Sequence, residues 1–402
     1  MTIACPDCGT LEELPRLRRR DTAVCVRCQS DLEKTSGRSI GAALACSFAT
    51  LLLLFPVNVL PLLRVDIFGM HSQNVTGAGV ALLWMRGWIL LAGLSALFII
   101  LLPFLRFGLL SAVLATLRFG RRPSWLGAAF RWSLWLDPWA MIDVYLLAGC
   151  IGYFRLINID QAHVIIEPGG ACLIAAAFLT MLSRATLDSR TVWRAIGGET
   201  HARGDEPMLG CTTCDLAVPL SHDGQRCPRC GARLWLRKPD ATVWTAALLI
   251  AALALVLPAN IYPMNVSNHL GQEVRYTILT GVQDLFKAGL YPLGVLVFCT
   301  SILTPAVKIF ALGWGVLSVW RRSPRRLIAK TKALRIVAEM GRWSNTDAFA
   351  IVFFVPLIHF GPLGSENAGW GATAFVMMTV LTMVASVTFD PRLMWDAHDR
   401  AA

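Results

Sequence analysis

The chain has 402 residues, of which 55% are hydrophobic and 16% charged, and its net charge is +11. Its mean hydropathy of +0.56 is far above that of a soluble chain. With uncharged blocks at Ser39–Leu63, Gly87–Leu105 and Asn367–Phe389, these values exclude a soluble enzyme, a disordered chain and a disulfide-rich secreted domain. A bilayer core of about 30 Å needs roughly 20 apolar residues of helix, so the fold class is all-α polytopic membrane protein. The positive charge does not call for nucleic acid, because cytoplasmic loops collect Lys and Arg.

The first and sixth elements are cysteine modules, Cys5/Cys8 with Cys25/Cys28 in residues 1–36 and Cys211/Cys214 with Cys227/Cys230 in residues 205–238. Their spacings, C-x2-C-x16-C-x2-C and C-x2-C-x12-C-x2-C, suit two structural four-cysteine Zn²⁺ sites, each closed by four thiolates. Iron in a rubredoxin-like site is the alternative, since Cys-Pro-x-Cys-Gly serves that metal too. Four protein ligands leave no open position, so neither module is expected to catalyse. No signal peptide precedes Cys5, which predicts a cytosolic N-terminus, where such pairs favour metal over disulfide. Cys46, Cys150, Cys172 and Cys299 stand singly in apolar stretches and read as small buried hydrophobes.

Each module is followed by a predicted four-helix transmembrane unit, 37–195 and 239–395. The two copies are offset by about 202 residues and share four landmarks. A first helix ends in Phe55-Pro56-Val57-Asn58-Val59-Leu60-Pro61 against Leu257-Pro258-Ala259-Asn260-Ile261-Tyr262-Pro263. A second carries Pro103-x-x-Arg106 against Pro305-x-x-Lys308. A third opens Trp139-Ala140-x-x-Asp143 against Trp343-Ser344-x-x-Asp347. A fourth ends Thr186-Leu187-Asp188-x-Arg190 against Thr388-Phe389-Asp390-x-Arg392. Eight spans follow, at roughly 39–60, 87–117, 138–157, 169–187, 242–262, 288–320, 345–364 and 369–389. The third has only eleven uncharged residues between Asp143 and Arg155, so it spans only with Asp143 inside the membrane. Basic residues gather after helix two (Arg118, Arg121, Arg122, Arg131) and after helix six (Arg321 through Arg342). The positive-inside rule then puts these loops, both modules and both termini in the cytoplasm, with the units as parallel repeats.

Charges inside a span are costly and are usually paired or functional. Arg106, Asp143, Lys308 and Asp347 are the candidates. Arg106 and Lys308 sit either at mid-depth or close enough to snorkel to the headgroups. Lys308 and Asp347 are expected to pair between helices. Ser301 lies seven residues before Lys308, Ser344 three before Asp347, and Thr379, Thr382 and Ser386 share a face of helix eight. They form either a polar track or ordinary Ser/Thr helix packing. In the first unit Ile99 and Ala140 replace Ser301 and Ser344, which places more of any mechanism in the second. Pro56-x-Asn58 and Pro258-x-Asn260 are either helix stops or broken ends lining a cavity, with the asparagines satisfying carbonyls that the prolines free.

The doubled C-x-x-C modules, the Pro-x-Asn motif, the Trp-x-x-x-Asp helix start and the tandem four-helix units together resemble the paraquat-inducible protein A family, which includes LetA-like bacterial lipid-transport proteins. The resemblance covers essentially the whole chain, although Gln29 follows Cys28 where Gly follows Cys8 and Cys230. It implies a bacterial inner-membrane protein with cytoplasmic zinc ribbons. It also implies a periplasm-spanning partner bearing mammalian-cell-entry (MCE) domains, and passage of phospholipids between bilayer and partner. Lys308 and Asp347 would then couple transport to protons. No Walker A motif occurs, so no ATP hydrolysis is expected. A redox or stress-response protein using its cysteine clusters and a passive scaffold for the partner are the alternatives.

Overall fold

The computed structural model describes residues 2–13, 21–34, 40–67, 70–158, 162–197, 208–269, 272–323, 325–357 and 364–399. Two short hairpins open the chain, β1 (Thr2–Ala4) with β2 (Leu11–Glu13) and β3 (Thr22–Val24) with β4 (Asp31–Lys34). Then come α1 (Ile40–Val59), β5 (Leu63–Ile67), β6 (Met70–Asn74) and α2 (Thr76–Met85). α3 (Ile89–Ser95) runs through a π-helical segment, Ala96–Leu101, into α4 (Leu102–Arg118). α5 (Leu126–Trp135), α6 (Ile142–Leu156), β7 (Ala162–Ile166), α7 (Pro168–Thr186) and α8 (Ser189–Ile196) complete the first half.

The second half repeats this order: β8 (Met208–Gly210), β9 (Ala217–Pro219), α9 (Ala241–Ile261), β10 (Asn265–His269), β11 (Gln272–Tyr276), α10 (Ile278–Lys287), α11 (Tyr291–Phe298), a π segment at Cys299–Leu303, α12 (Thr304–Trp320), α13 (Leu327–Met340), a 3₁₀ turn at Gly341–Asn345, α14 (Thr346–Leu357), β12 (Gly364–Ala368), α15 (Trp370–Thr388) and α16 (Arg392–Asp399). Both π segments immediately precede proline. Pro103 and Pro305 have no N–H to give the carbonyls four residues back, Ile99 and Ser301, and the helix widens there.

Among the described residues, six helices are long and apolar enough to cross a bilayer: α1, α3–α4, α7, α9, α11–α12 and α15. In the expected third span α6 has 15 residues, and in the seventh the described part of α14 has 12. In the first half the chain turns past Trp139 and Ala140 before α6 begins, and in the second the 3₁₀ turn occupies the corresponding stretch. Residues 358–363 of the expected seventh span, Ser39 of the first, and parts of both module boundaries (35–36 and 205–207) lie outside the described residues.

The chain is mostly helical but not all-α. Two three-stranded antiparallel sheets, ordered β6-β5-β7 and β11-β10-β12, sit at the end of the bundle opposite the cysteine modules. Each closes a long loop, since β5 pairs with β7 and β10 with β12 about a hundred residues away in sequence. α7 starts hard against the end of α1. A Cβ on Gly170 would collide with the Leu62 carbonyl, and one on Gly371 with that of Tyr262, so only glycine fits there.

Asn58 and Asn260 do not satisfy the carbonyls freed by proline. Asn58 Nδ2 donates to the Leu54 carbonyl (2.7 Å) and Asn260 Nδ2 to that of Val256 (2.8 Å), whereas the prolines free Leu52 and Ala254. The helices stop at Val59 and Ile261 and the chain enters β5 and β10. Of the lone cysteines none is buried: Cys150 is exposed and Cys46, Cys172 and Cys299 are half-buried. Their stretches face outward, where lipid is the solvent, so apolar character does not imply burial in protein.

The halves meet along α6 and α14. Gly149 and Gly152 of α6 let the Phe353 ring of α14 approach closely, and Tyr145 packs edge-on against Phe353 at 5.7 Å. α2 also lies on α14. A Cβ on Gly79 would meet the Val352 carbonyl at 2.6 Å, and Asn74 Nδ2 donates to the Phe353 carbonyl at 3.0 Å. The first half thus caps the end of a second-half helix.

Candidate functional site: cysteine clusters and buried charges

In each module the four sulfurs converge. Cys5 and Cys28 Sγ are 3.4 Å apart, Cys8 and Cys25 3.6 Å, and Cys211–Cys230 and Cys214–Cys227 3.6 Å each. A tetrahedron with metal–sulfur bonds of about 2.3 Å has edges of about 3.8 Å, so both clusters fit one cation each. All eight cysteines are buried. The four knuckles share one turn, with positive φ at Gly9 (78°), Gln29 (58°), Asp215 (55°) and Gly231 (68°). Gln29 therefore adopts the backbone of the glycines it replaces, at a local cost.

Each module docks on the other half of the chain. The Cys5/Cys8/Cys25/Cys28 cluster packs with Leu312, Val316, Phe389, Met394 and Trp395 of the second half. Arg335 of α13 pairs with Asp7 at 2.7 Å and donates to the Cys28 carbonyl. The Cys211/Cys214/Cys227/Cys230 cluster packs with Leu114, Phe130, Val192 and Trp193 of the first. Gly127 of α5 lies so close to the Arg229 carbonyl that no Cβ would fit.

Lys308 is 1% exposed. Its Nζ donates to the Gly341 carbonyl (2.8 Å), Ser344 Oγ (3.0 Å) and Thr382 Oγ1 (3.3 Å). All three ammonium hydrogens therefore meet neutral oxygens. The network continues: Thr382 Oγ1 donates to the Thr379 carbonyl, and Thr379 Oγ1 to Asn345 Oδ1 at 2.7 Å. Ser386 stays outside it, donating to the Met383 carbonyl.

The expected Lys308–Asp347 pair is not among the ion pairs of the described residues. Asp347 faces the Ser301 hydroxyl instead, and its Oδ2 is buried without a hydrogen-bond partner. The helix geometry explains this. The π segment inserts an extra residue between Ser301 and Lys308, so a seven-residue step no longer stacks them. Ser344 lies in the 3₁₀ turn and Asp347 in the first turn of α14, so α-helical spacing does not hold between them. Asp347 borders a cavity of about 90 Å³ between α6, α10 and α14, which also meets Ile151, Arg155, Asn265, Leu285, Phe354 and Glu366. That is room for several waters. Asn58 and Asn260 do not line it.

Arg106 occupies the place of Lys308 in the first half but is paired. Its guanidinium meets Asp137; Arg184 meets Asp137 at 2.9 Å and Asp143 at 2.6 Å. Arg342 of the second half lies 3.8 Å from Asp143. Reading the sequence overlooked Asp137, Arg342, Asn345, Arg155 and Arg184. Arg184 alone had left a signal, a cation inside an otherwise apolar span.

A family profile for paraquat-inducible protein A matches residues 40–197 and again 243–399. The chain belongs to the paraquat-inducible protein A family. It is 29% identical over 407 residues to intermembrane transport protein PqiA of Escherichia coli K12, covering 98% of this chain and 95% of that one. Against lipophilic envelope-spanning tunnel protein A of the same strain it is 30% identical over 400 residues, covering 98% and 91%. A probable intermembrane transport protein of Haemophilus influenzae is 25% identical over 417 residues, covering 99% and 96%. No solved structure matches. In this member of the family the profile repeats once per half, in step with the six apolar helices of a multi-pass membrane protein.

Proposed function

We propose that this protein is a bacterial inner-membrane lipid transporter, not an enzyme, that passes phospholipids between the bilayer and a periplasm-spanning MCE-domain partner. The observation that carries this reading is a pair of mutually unpaired ionisable groups in the second half, Lys308 buried and Asp347 half-buried. Lys308 is held by neutral oxygens alone, and Asp347 keeps an unpartnered oxygen beside a cavity with room for water. A charge kept in a membrane span without a counter-ion is costly; Lys308 has none among its partners, while Asp347 shares its cavity with Arg155. Their protonation would couple a transport step to the proton gradient. Ser301, Ser344 and Thr382 hold the two groups in place, while Arg106 and Asp143 serve the first half as fixed pairs. Pro56, Asn58, Pro258 and Asn260 end the helices at the sheet side.

In this reading the cysteine clusters hold Zn²⁺ as structural staples, through Cys5, Cys8, Cys25 and Cys28 and through Cys211, Cys214, Cys227 and Cys230. The basic residues from Arg118 to Arg131 and from Arg321 to Arg342 support a cytoplasmic ribbon end and a periplasmic sheet end. Residues 1–36 and 205–238 are the ribbons, and 37–195 and 239–395 the transmembrane units. α6 and α14 complete eight crossings; both run from the ribbon end to the sheet end and pack on each other, so neither has to match the full bilayer alone.

The test is lipid transfer in liposomes that contain the protein and its MCE partner, with and without a pH gradient. Lys308→Met and Asp347→Asn are expected to abolish gradient-dependent transfer while the complex still assembles. Transfer at the wild-type rate in both variants would sink the coupling. Metal analysis finding stoichiometric iron in place of zinc would favour a redox role.

A further inference from the structure

The ribbon end holds a second cavity, of about 300 Å³, at the seam between the halves. Its wall carries Arg106 of α4, Asp137, and Arg184 of α7 from the first half, with Glu339 of α13 and Arg342 from the second. One water needs roughly 10–15 Å³ of such space, so a polyatomic group fits.

The charges on this wall are unevenly spent. Three guanidiniums share two carboxylates, because Asp137 serves both Arg106 and Arg184 while Asp143 serves Arg184 and stands 3.8 Å from Arg342. Arg106 is 2% exposed, and its Nη1 has no hydrogen-bond partner. Nε of Arg342 makes no hydrogen bond either and faces Asp143 Oδ2 at 3.8 Å. The two guanidinium side chains come from opposite halves and both line the cavity. Asp143 keeps an unpartnered oxygen too, but it does not line the cavity. Glu339 is exposed and stands at the rim, where water screens it.

A buried donor without an acceptor is destabilising, and more so when charged. The group that would satisfy these two must be an acceptor, carry negative charge and present at least two oxygens a few ångströms apart. Phosphate does so, and guanidinium is the side chain best matched to it. We propose that this cavity binds a phosphate group through Arg106 and Arg342, bridging the two halves of the chain. The phosphate is either the headgroup of an anionic phospholipid, whose chains would leave past Leu110, Leu134 and Leu187 on the same wall, or free phosphate from the ribbon side. The site does not depend on the transport reading, because it is assayed by binding alone.

The experiment uses the full chain purified in detergent. Native mass spectrometry measures retention of dioleoyl phosphatidylglycerol against dioleoylglycerol, which lacks the phosphate, and calorimetry measures inorganic phosphate. The variants are Arg106→Gln and Arg342→Gln; the second leaves the Arg106–Asp137–Arg184–Asp143 pairs intact and so keeps the fold. The wild type is expected to prefer a phosphate-bearing ligand, and each variant to weaken it about tenfold, the loss of one charged hydrogen bond. Binding of phosphatidylglycerol without inorganic phosphate assigns the site to a headgroup; binding of inorganic phosphate that displaces the lipid assigns it to the free ion. Equal retention of both lipids with no phosphate binding, or unchanged binding in a folded Arg342→Gln variant, overturns the proposal.

Discussion

Arg106 and Lys308 occupy the same place in two copies of one design, and their surroundings differ in kind. The arginine is shared into a cluster with Asp137, Arg184 and Asp143. The lysine meets a carbonyl and two hydroxyls. A guanidinium held by carboxylates stays charged and fixed, whereas an ammonium held by neutral oxygens depends on its own proton. The first half thus holds its cation with carboxylates at the seam, and the second holds its cation with neutral oxygens.

The two halves also exchange their cysteine modules, and this gives the largest expected effect. Cys25→Ser removes one ligand from the first module, whose metal supplies on the order of 10 kcal/mol of folding free energy in modules of this size. Because that module sits on Leu312, Phe389 and Trp395, hydrogen exchange should rise in α13 and α16 of the second half and stay unchanged in α5. Faster exchange in the first half would show that the modules serve their own units.

The next effect separates the two cations. Asp137→Ala strands Arg106 in the interior and should lower unfolding free energy by about 3 kcal/mol, read as a fall in melting temperature in detergent. Thr382→Ala removes one neutral partner of Lys308 and should cost only about 1 kcal/mol. Equal losses would erase the contrast. Lys308→Met sharpens it: replacing a buried charge without a counter-ion by an apolar chain of similar length is expected to leave the melting temperature unchanged or raised, while transport stops. The smallest effect compares the knuckles. Gln29→Gly relieves a left-handed backbone and should stabilise the first module by about 1 kcal/mol; Gly231→Ala, at φ 68°, should destabilise the second by a similar amount. Both are measurable by competition with a metal chelator.

Much of this molecule was legible from residue order alone. Hydropathy marked the six long helices, C-x-x-C spacing marked the two clusters, and the repeated landmarks marked the duplication, because each of these signals is local. The sheets escaped because their pairing joins five-residue segments about a hundred positions apart, and no local period records such a partner. The Lys308–Asp347 pair failed because a π turn and a 3₁₀ turn shift the helical phase that spacing arguments assume. Asn345 closes the Thr379 end of the network, a contact between two helices that no local spacing records.

Sequence by itself therefore determined what each segment is: apolar spans, thiol clusters and the places of Arg106 and Lys308. Which partner each charge found, and which half each module stabilises, only the tertiary structure decided. Those outcomes depend on distances between elements remote in the chain. Such distances are set by how glycines, prolines and ring faces let the helices approach, a property of the packed assembly and not of any single stretch of it.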